Sequence, residues 1–233
     1  MKKVGFIGAY DKTHMILSIA KILTAKYKKP IIIDTTIEQK TKYIVPTIHP
    51  TEKYITTWED IDVAVGFKNI EEICQYAGIE KLENEYDIIL MNIDSANELN
   101  ELNVLKNDAN YFITAVDLYS IRKGIEIFSD LKENINIGRI IFSREMDSSE
   151  KEYIDYSIQD YPINWVGDVI FFPLTLEDRY VEMDSQMIYK INFKSISQLY
   201  KDSLAHLIST AFADEINENT ARKIIKTLEK DGI

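Results

Sequence analysis

Seven short apolar runs alternate with helical patterns from one end of this 233-residue chain to the other. The runs are VGFI (Val4–Ile7), PIIID (Pro30–Asp34), IDVAVGF (61–67), DIILMNI (87–93), YFITAV (111–116), RIIFS (139–143) and DVIFFP (168–173). A strand covered on both faces reads as a continuous apolar run, whereas a half-exposed strand alternates. Between the runs, helical spacing is carried first by Met15, Ile16, Ile19, Ala20, Ile22 and Leu23, within a segment from Lys12 to about Tyr27. Further helices are predicted near 69–77, 120–132, 149–159 and 176–187, and from about Ser195 to Asp214. Strand–helix alternation of this kind predicts an α/β fold: a doubly wound, mostly parallel sheet flanked by helices. No Gly/Ser-rich or Pro-rich linker interrupts it, so a single domain over 1–233 is expected, ending in a C-terminal helix within 215–233. Thr41 to Trp58, with Pro46, Pro50 and alternating tyrosines, breaks the alternation and predicts a β-hairpin or arm outside the core.

Composition removes several classes of function. A net charge of −11 and a pI near 4.8 argue against a broad basic face for DNA or RNA, so no direct nucleic-acid contact is expected. The one cysteine, Cys74, excludes an internal disulfide or a cysteine-rich zinc site, and its helical setting IEEICQYA predicts a buried, inert thiol. No apolar run approaches the ~18 residues of a membrane span, and the start is too short for a signal peptide. A cytoplasmic location is expected, with recruitment to a membrane-associated assembly as an extension of it. In the tail TARKIIKTLEKDGI, Ala221, Ile224, Ile225 and Leu228 share a helical face and Thr220 reads as the N-cap. Glu229 and Asp231 interrupt its basic side, which favours packing on the domain or a partner over membrane contact.

Ligands of parallel sheets gather at the C-terminal ends of strands. Three such ends are polar here: Gly8–His14, Asp34–Thr36 and Asn92–Asp94. The first, GAYDKTHM, places Lys12-Thr13 at a helix start after a strand and a glycine, the layout of a phosphate-binding loop. Gly8, Ala9, Tyr10, Asp11, Lys12, Thr13 and His14 are therefore candidate phosphate contacts. Asp11, however, stands where such a loop has glycine. Like charges ~4 Å apart repel by about 1 kcal/mol in water and by several at lower dielectric. Asp11 reads either as an ordinary N-cap or as a carboxylate that takes the place of the phosphate at the helix N-terminus. Lys12 is expected to pair with Asp11, Asp34 or Asp94 in a buried polar cluster, or else to reach a nucleotide. The three histidines, His14, His49 and His206, have no metal-ligand spacing, and His14 reads first as a solvated first-turn residue, with a phosphate contact as the alternative. Ser120, in DLYSIRKG, reads as an N-cap. Tyrosines near the arm (Tyr43, Tyr54) and near 153–161 give a weak interface signal.

The order of these features resembles the ParA/MinD group of deviant Walker-A ATPases, especially the TadZ/CpaE branch of pilus assembly, over nearly the whole chain. Gly8-Ala-Tyr-Asp-Lys12-Thr13 lies where the family has its phosphate loop, and PIIID-Thr-Thr (30–36) where it has a strand ending in Asp-x-Asp. YDIILMNID (86–94) is similar to its Walker-B strand, and ANYFITAVDLYSIRKGIEIFSDLK (109–132) to its next strand, loop and helix. INIGRIIFSRE (135–145) and DVIFFPLTLEDRYV (168–181) resemble its last two strands and loops. The resemblance implies MgATP or MgADP as ligand, a homodimer through the strand-end face, and protein partners of a pilus, secretion or partition system. Five positions depart from it. Ile7 replaces the signature lysine and Asp11 a loop glycine. Thr36 replaces the carboxylate that would act on the attacking water, Asn92 the Walker-B aspartate, and Ser143 the adenine-reading asparagine. Asp34 matches, and Asp94 lies two residues beyond Asn92, positioned to compensate. Together these imply a degenerate, dimeric scaffold or positioning factor without efficient ATP turnover, a pseudo-ATPase. The alternatives are a slow or conditional MgATP switch and a partition regulator acting through a partner.

Overall fold

A computed structural model describes residues 1–47, 53–143 and 148–230, leaving aside the side chains of 148–151. In chain order the elements are β1 (Lys2–Ile7), α1 (Thr13–Ala25), β2 (Pro30–Asp34), α2 (Thr41–Ile44), β3 (Tyr54–Trp58), β4 (Ile61–Val65), α3 (Ile70–Ala77), β5 (Ile88–Ile93) and α4 (Ala96–Glu101). They continue with β6 (Ala109–Ala115), α5 (Leu118–Glu126), β7 (Ile135–Ser143), α6 (Ser148–Ile158), β8 (Ile163–Pro173), α7 (Leu176–Met187), α8 (Gln198–Ala211) and α9 (Glu218–Leu228). The strands form one sheet in the order β3-β4-β2-β5-β1-β6-β7-β8, parallel throughout except for β3.

Each central strand divides its side chains between two apolar layers. Ile32, Leu90 and Phe6 face α1, α8 and α9, while Ile31, Ile33, Ile89 and Met91 face α3, α5 and α6. Burial on both sides explains why the runs are continuous, and it makes the fold doubly wound as expected. The chain leaves β1 toward β2 on one side and later reaches β6 on the other. The end of β1 is thus the switch point at which open α/β sheets hold ligands. Gly8 sits there with φ +153°, and a Cβ on it would lie 2.0 Å from the Ile113 carbonyl oxygen. Only glycine permits that approach of β1 to β6.

The segment read as an arm is built differently. Thr41–Ile44 is a short helix, and 48–52, including His49, lie outside the described residues. Tyr54–Trp58 is the antiparallel edge strand, joined to β4 through Glu59 and Asp60 at φ 49° and 66°. This is a hairpin, yet it belongs to the sheet. Tyr54 and Trp58 are buried in the α1 layer, and the Trp58 Nε1–H donates to the Tyr189 carbonyl at 2.8 Å. Two cap assignments also change. Asp117, not Ser120, caps α5 by accepting from the Ser120 amide, and Asn217, not Thr220, caps α9 by accepting from the Thr220 amide. Helix α4 was unexpected from the sequence. Tail residues Ala221 and Ile225 are buried against the α1 layer. Cys74 is buried as expected, and burial raises its thiol above the ordinary value.

Strand β8 forms the other edge. It carries an irregularity opposite Ile137/Arg139, Gly167 at φ +66° and an exposed Asp168. The Ser203 hydroxyl of α8 donates to the Phe171 carbonyl at 2.5 Å.

Candidate functional site

The three polar strand ends meet. In the sheet register, Asp34 and Phe6 both stand beside Asn92, so Asp34 and Asn92 project on the α1 face under the loop. A cleft of about 490 Å³ opens above them, lined by Gly8 to Thr13, Thr36, Ile37, Glu38, Lys40, Asn92, Asp94, Tyr119 and Lys123. That is within the range of small-molecule sites.

Lys12 is buried, and its ammonium donates to the Gly8 carbonyl at 2.8 Å, so it folds back on its own loop. The expected ion pair with Asp11, Asp34 or Asp94 does not form. Burial pulls the amine down to about 8, while the fields of Asp94, Asp34 and Asp11 oppose the fall. Asp11 instead bridges two elements. Its Oδ1 accepts from the Thr13 amide at 3.1 Å, as an aspartate at a helix start does, and its Oδ2 pairs with Lys40 at 2.9 Å. Burial pushes this carboxyl up, but the hydrogen bonds from Lys40 and Thr13 outweigh it and hold the group below the usual carboxylate range.

Asp34 is fully buried and organises the segment that follows it. It accepts from the Thr36 amide (3.0 Å), the Thr36 hydroxyl (2.6 Å) and the Thr41 amide (3.1 Å). The Thr36 hydroxyl is therefore spent on Asp34. Asp94 accepts from the Ile37 amide at 2.9 Å, and Thr35 donates its amide and hydroxyl to the Asn92 carbonyl, both at 3.2 Å. Residues 34–41 are thus tied to the ends of β1 and β5 by the protein's own groups. Asn92 Oδ1 is buried and finds no donor among the described residues.

Besides Asp34, which is buried and does not line the cleft, two candidates fall outside it. His14 points into a separate cavity of about 30 Å³ beside Asp11, Asp178 and Tyr200, with its ring edge-on to Tyr200 at 6.2 Å. It is only partly exposed and is not turned to the cleft. Its Nε2 is sealed without a partner among the described residues, and burial drops the ring to about 4 against the opposing charges of Asp11 and Asp178. Ser143 is buried at the end of β7, its carbonyl accepting from the Leu174 amide, and it does not line the cleft. Nearer the cleft than Ser143 is Tyr10, whose ring packs on Phe142 at 4.7 Å.

Sequence reasoning missed Ile37, Glu38, Lys40, Tyr119 and Lys123, which line the cleft, and Glu98, which lines a separate pocket. Nothing in the spacing links Lys40 to Asp11, 29 residues earlier. Glu98 was findable, because Ser95-Ala-Asn-Glu98 has the spacing of a capping box. Burial lifts its carboxyl to about 7, with hydrogen bonds from Ser95 opposing the rise and Asp94 adding to it.

No protein-family model and no curated protein sequence matches the chain. Solved structures do. A ParA family ATPase from Chlorobium tepidum is similar at TM-score 0.55 and 16% identity, over 87% of this chain and 96% of that one. The ATP complex of a McdA variant from Cyanothece is similar at 0.57 and 12%, over 91% and 96%. The MinC:MinD complex of Aquifex aeolicus contains a chain similar at 0.51 and 12%, over 100% and 97%. Eight strands in one mostly parallel sheet, helices on both faces and a loop-to-helix cleft at the switch point complete the picture: this chain has the ParA/MinD-like fold.

Proposed function

We propose that this chain is a ParA/MinD-like protein without efficient ATP hydrolysis, acting as a dimeric scaffold or positioning factor of a pilus- or secretion-type assembly, in the manner of the TadZ/CpaE branch. One observation carries the reading. The Asp11 carboxylate sits at the start of α1, held by the Thr13 amide and Lys40, in the loop where an ATPase places its phosphates. The other residues fit MgATP turnover no better. Lys12 is turned to Gly8, Thr36 is no general base near neutral pH and is bound to Asp34, and Asn92 offers an amide in place of a carboxylate. Positioning by protein contact remains, in keeping with a neighbour solved as a MinC:MinD complex. Dimerisation through the strand-end face is then independent of nucleotide.

Calorimetry with MgATP and MgADP tests this on the native chain and on Asp11→Gly. The native chain is expected to bind neither nucleotide, and the glycine variant to gain affinity for both. Micromolar binding of MgATP by the native chain would replace this reading with that of a conditional switch, which the retained Gly8, Lys12 and Thr13 would then serve.

A further inference from the structure

Helix α7 is inside out. Its inward face carries Asp178, Val181 and Ser185, two of them polar and all buried. Asp178 is satisfied, accepting from the Ser197 amide and hydroxyl and from the Thr175 hydroxyl, whereas Ser185 Oγ has no partner among the described residues. The outward face carries Leu176, Tyr180, Met183 and Met187, which are 69%, 64%, 60% and 81% exposed. A surface helix of a globular protein is normally arranged the other way, with its apolar stripe toward the core.

The spacing of the exposed side chains is four, three and four residues. That places them in one straight seam, as in a helix that packs against a second helix. Scattered exposed apolar residues are ordinary, but a contiguous line marks an interaction surface. Two methionines in the line supply the adaptable contact that helix-binding surfaces use.

Charge decides what kind of helix fits. Apart from the buried Asp178, α7 carries Glu177, Glu182 and Asp184 against the single Arg179, and that arginine pairs with Glu182 at 3.0 Å. Glu177 and Asp184 are exposed and lie one heptad apart along the same flank of the seam. A second copy laid antiparallel would set Glu177 against Asp184 of its twin, and both copies carry the −11 of the whole chain. Like charges across a helix pair are destabilising, while opposite charges at the flanking positions choose the partner. We propose that the exposed seam of α7 docks an amphipathic helix of another protein whose apolar ridge carries lysines or arginines along the flank that meets Glu177 and Asp184. The proposal is independent of whether the cleft takes nucleotide.

The probe is a labelled helical peptide of about 18 residues, roughly five turns, with leucines at the spacing of the seam and lysines along one flank, alongside a twin with glutamates in place of the lysines. Fluorescence anisotropy with the full chain is expected to show binding of the lysine peptide, at least tenfold weaker binding of the twin, and weakening as salt is raised. Tyr180→Glu and, separately, Leu176→Gln should each cost the lysine peptide tenfold or more. Unchanged circular dichroism and melting of the two variants establish that the fold is kept. The proposal is overturned if the lysine peptide does not bind, if both peptides bind equally, or if both variants bind like the native chain. It is equally overturned if sedimentation shows a dimer of the native chain that Tyr180→Glu dissolves, because the seam would then belong to a second copy.

Discussion

The β1 loop and the outer face of α7 both depart from the usual placement of polar and apolar groups, in opposite directions. At the loop, charges are buried, and nearly all of them find partners within the chain: Lys12 on Gly8, Asp11 on Thr13 and Lys40, Asp34 on Thr36 and Thr41. On α7, apolar side chains face water and nothing in the chain covers them among the described residues. A polar site that satisfies itself has little demand for a ligand. An apolar line in water gains by being covered, at about 25 cal/mol for each Å² removed from solvent. By that measure the proposed strand-end dimer and the proposed helix on α7 draw on different faces, and the apolar one gains more from being covered.

The largest effect that would break the comparison lies at the loop. Gly8→Ala should destabilise the chain by about 4 kcal/mol or more, or prevent folding, because its Cβ meets the Ile113 carbonyl and its φ is strained. A urea midpoint close to that of the native chain would show instead that the loop is free to move. Next is His14, whose Nε2 is sealed. Burial holds His14 at about 4, below its ordinary 6.5, so the unfolded chain binds a proton across that window that the folded chain refuses. The associated stability is complete above pH 6.5 and is lost as pH falls toward 4, by on the order of 2 kcal/mol. His14→Gln should flatten this slope in urea titrations at about pH 7, 5.5 and 4.5, and a slope that survives would place its origin elsewhere. The smallest change in stability is expected on α7, where Met183→Glu should shift it by less than about 0.5 kcal/mol. A large loss there would mean that Met183 holds the fold rather than waits for a partner.

What the sequence disclosed follows from what was being read. Burial on both faces made the central strands visible as unbroken apolar runs, and parallel pairing then brought Gly8, Asp34 and Asn92 to one end of the sheet. Edge and short elements leave weaker traces. Strand β3 reads YITTW, with only its two ends buried, and α4 is the polar hexamer ANELNE. At the candidate site, the types of residue were legible but their partners were not. The pairing of Asp11 with Lys40, the return of Lys12 to Gly8 and the turning of His14 toward Tyr200 are set by three-dimensional packing that local spacing does not encode. The helix over 176–187 was evident from its periodicity. Its inversion was not, since a period gives the stripe and leaves open which side faces the core.

The edge at β8 has its own consequence for life at high concentration. A sheet that ends in an eleven-residue strand offers a template on which another chain can extend it, the first step toward aggregation. Here the kink at Gly167 twists that template, an incoming strand would strip the carboxylate of Asp168 of its water, and the Ser203 hydroxyl occupies a carbonyl of the strand. Growth strand by strand is thereby discouraged, and association is left to surfaces made of side chains, where sequence can choose the companion.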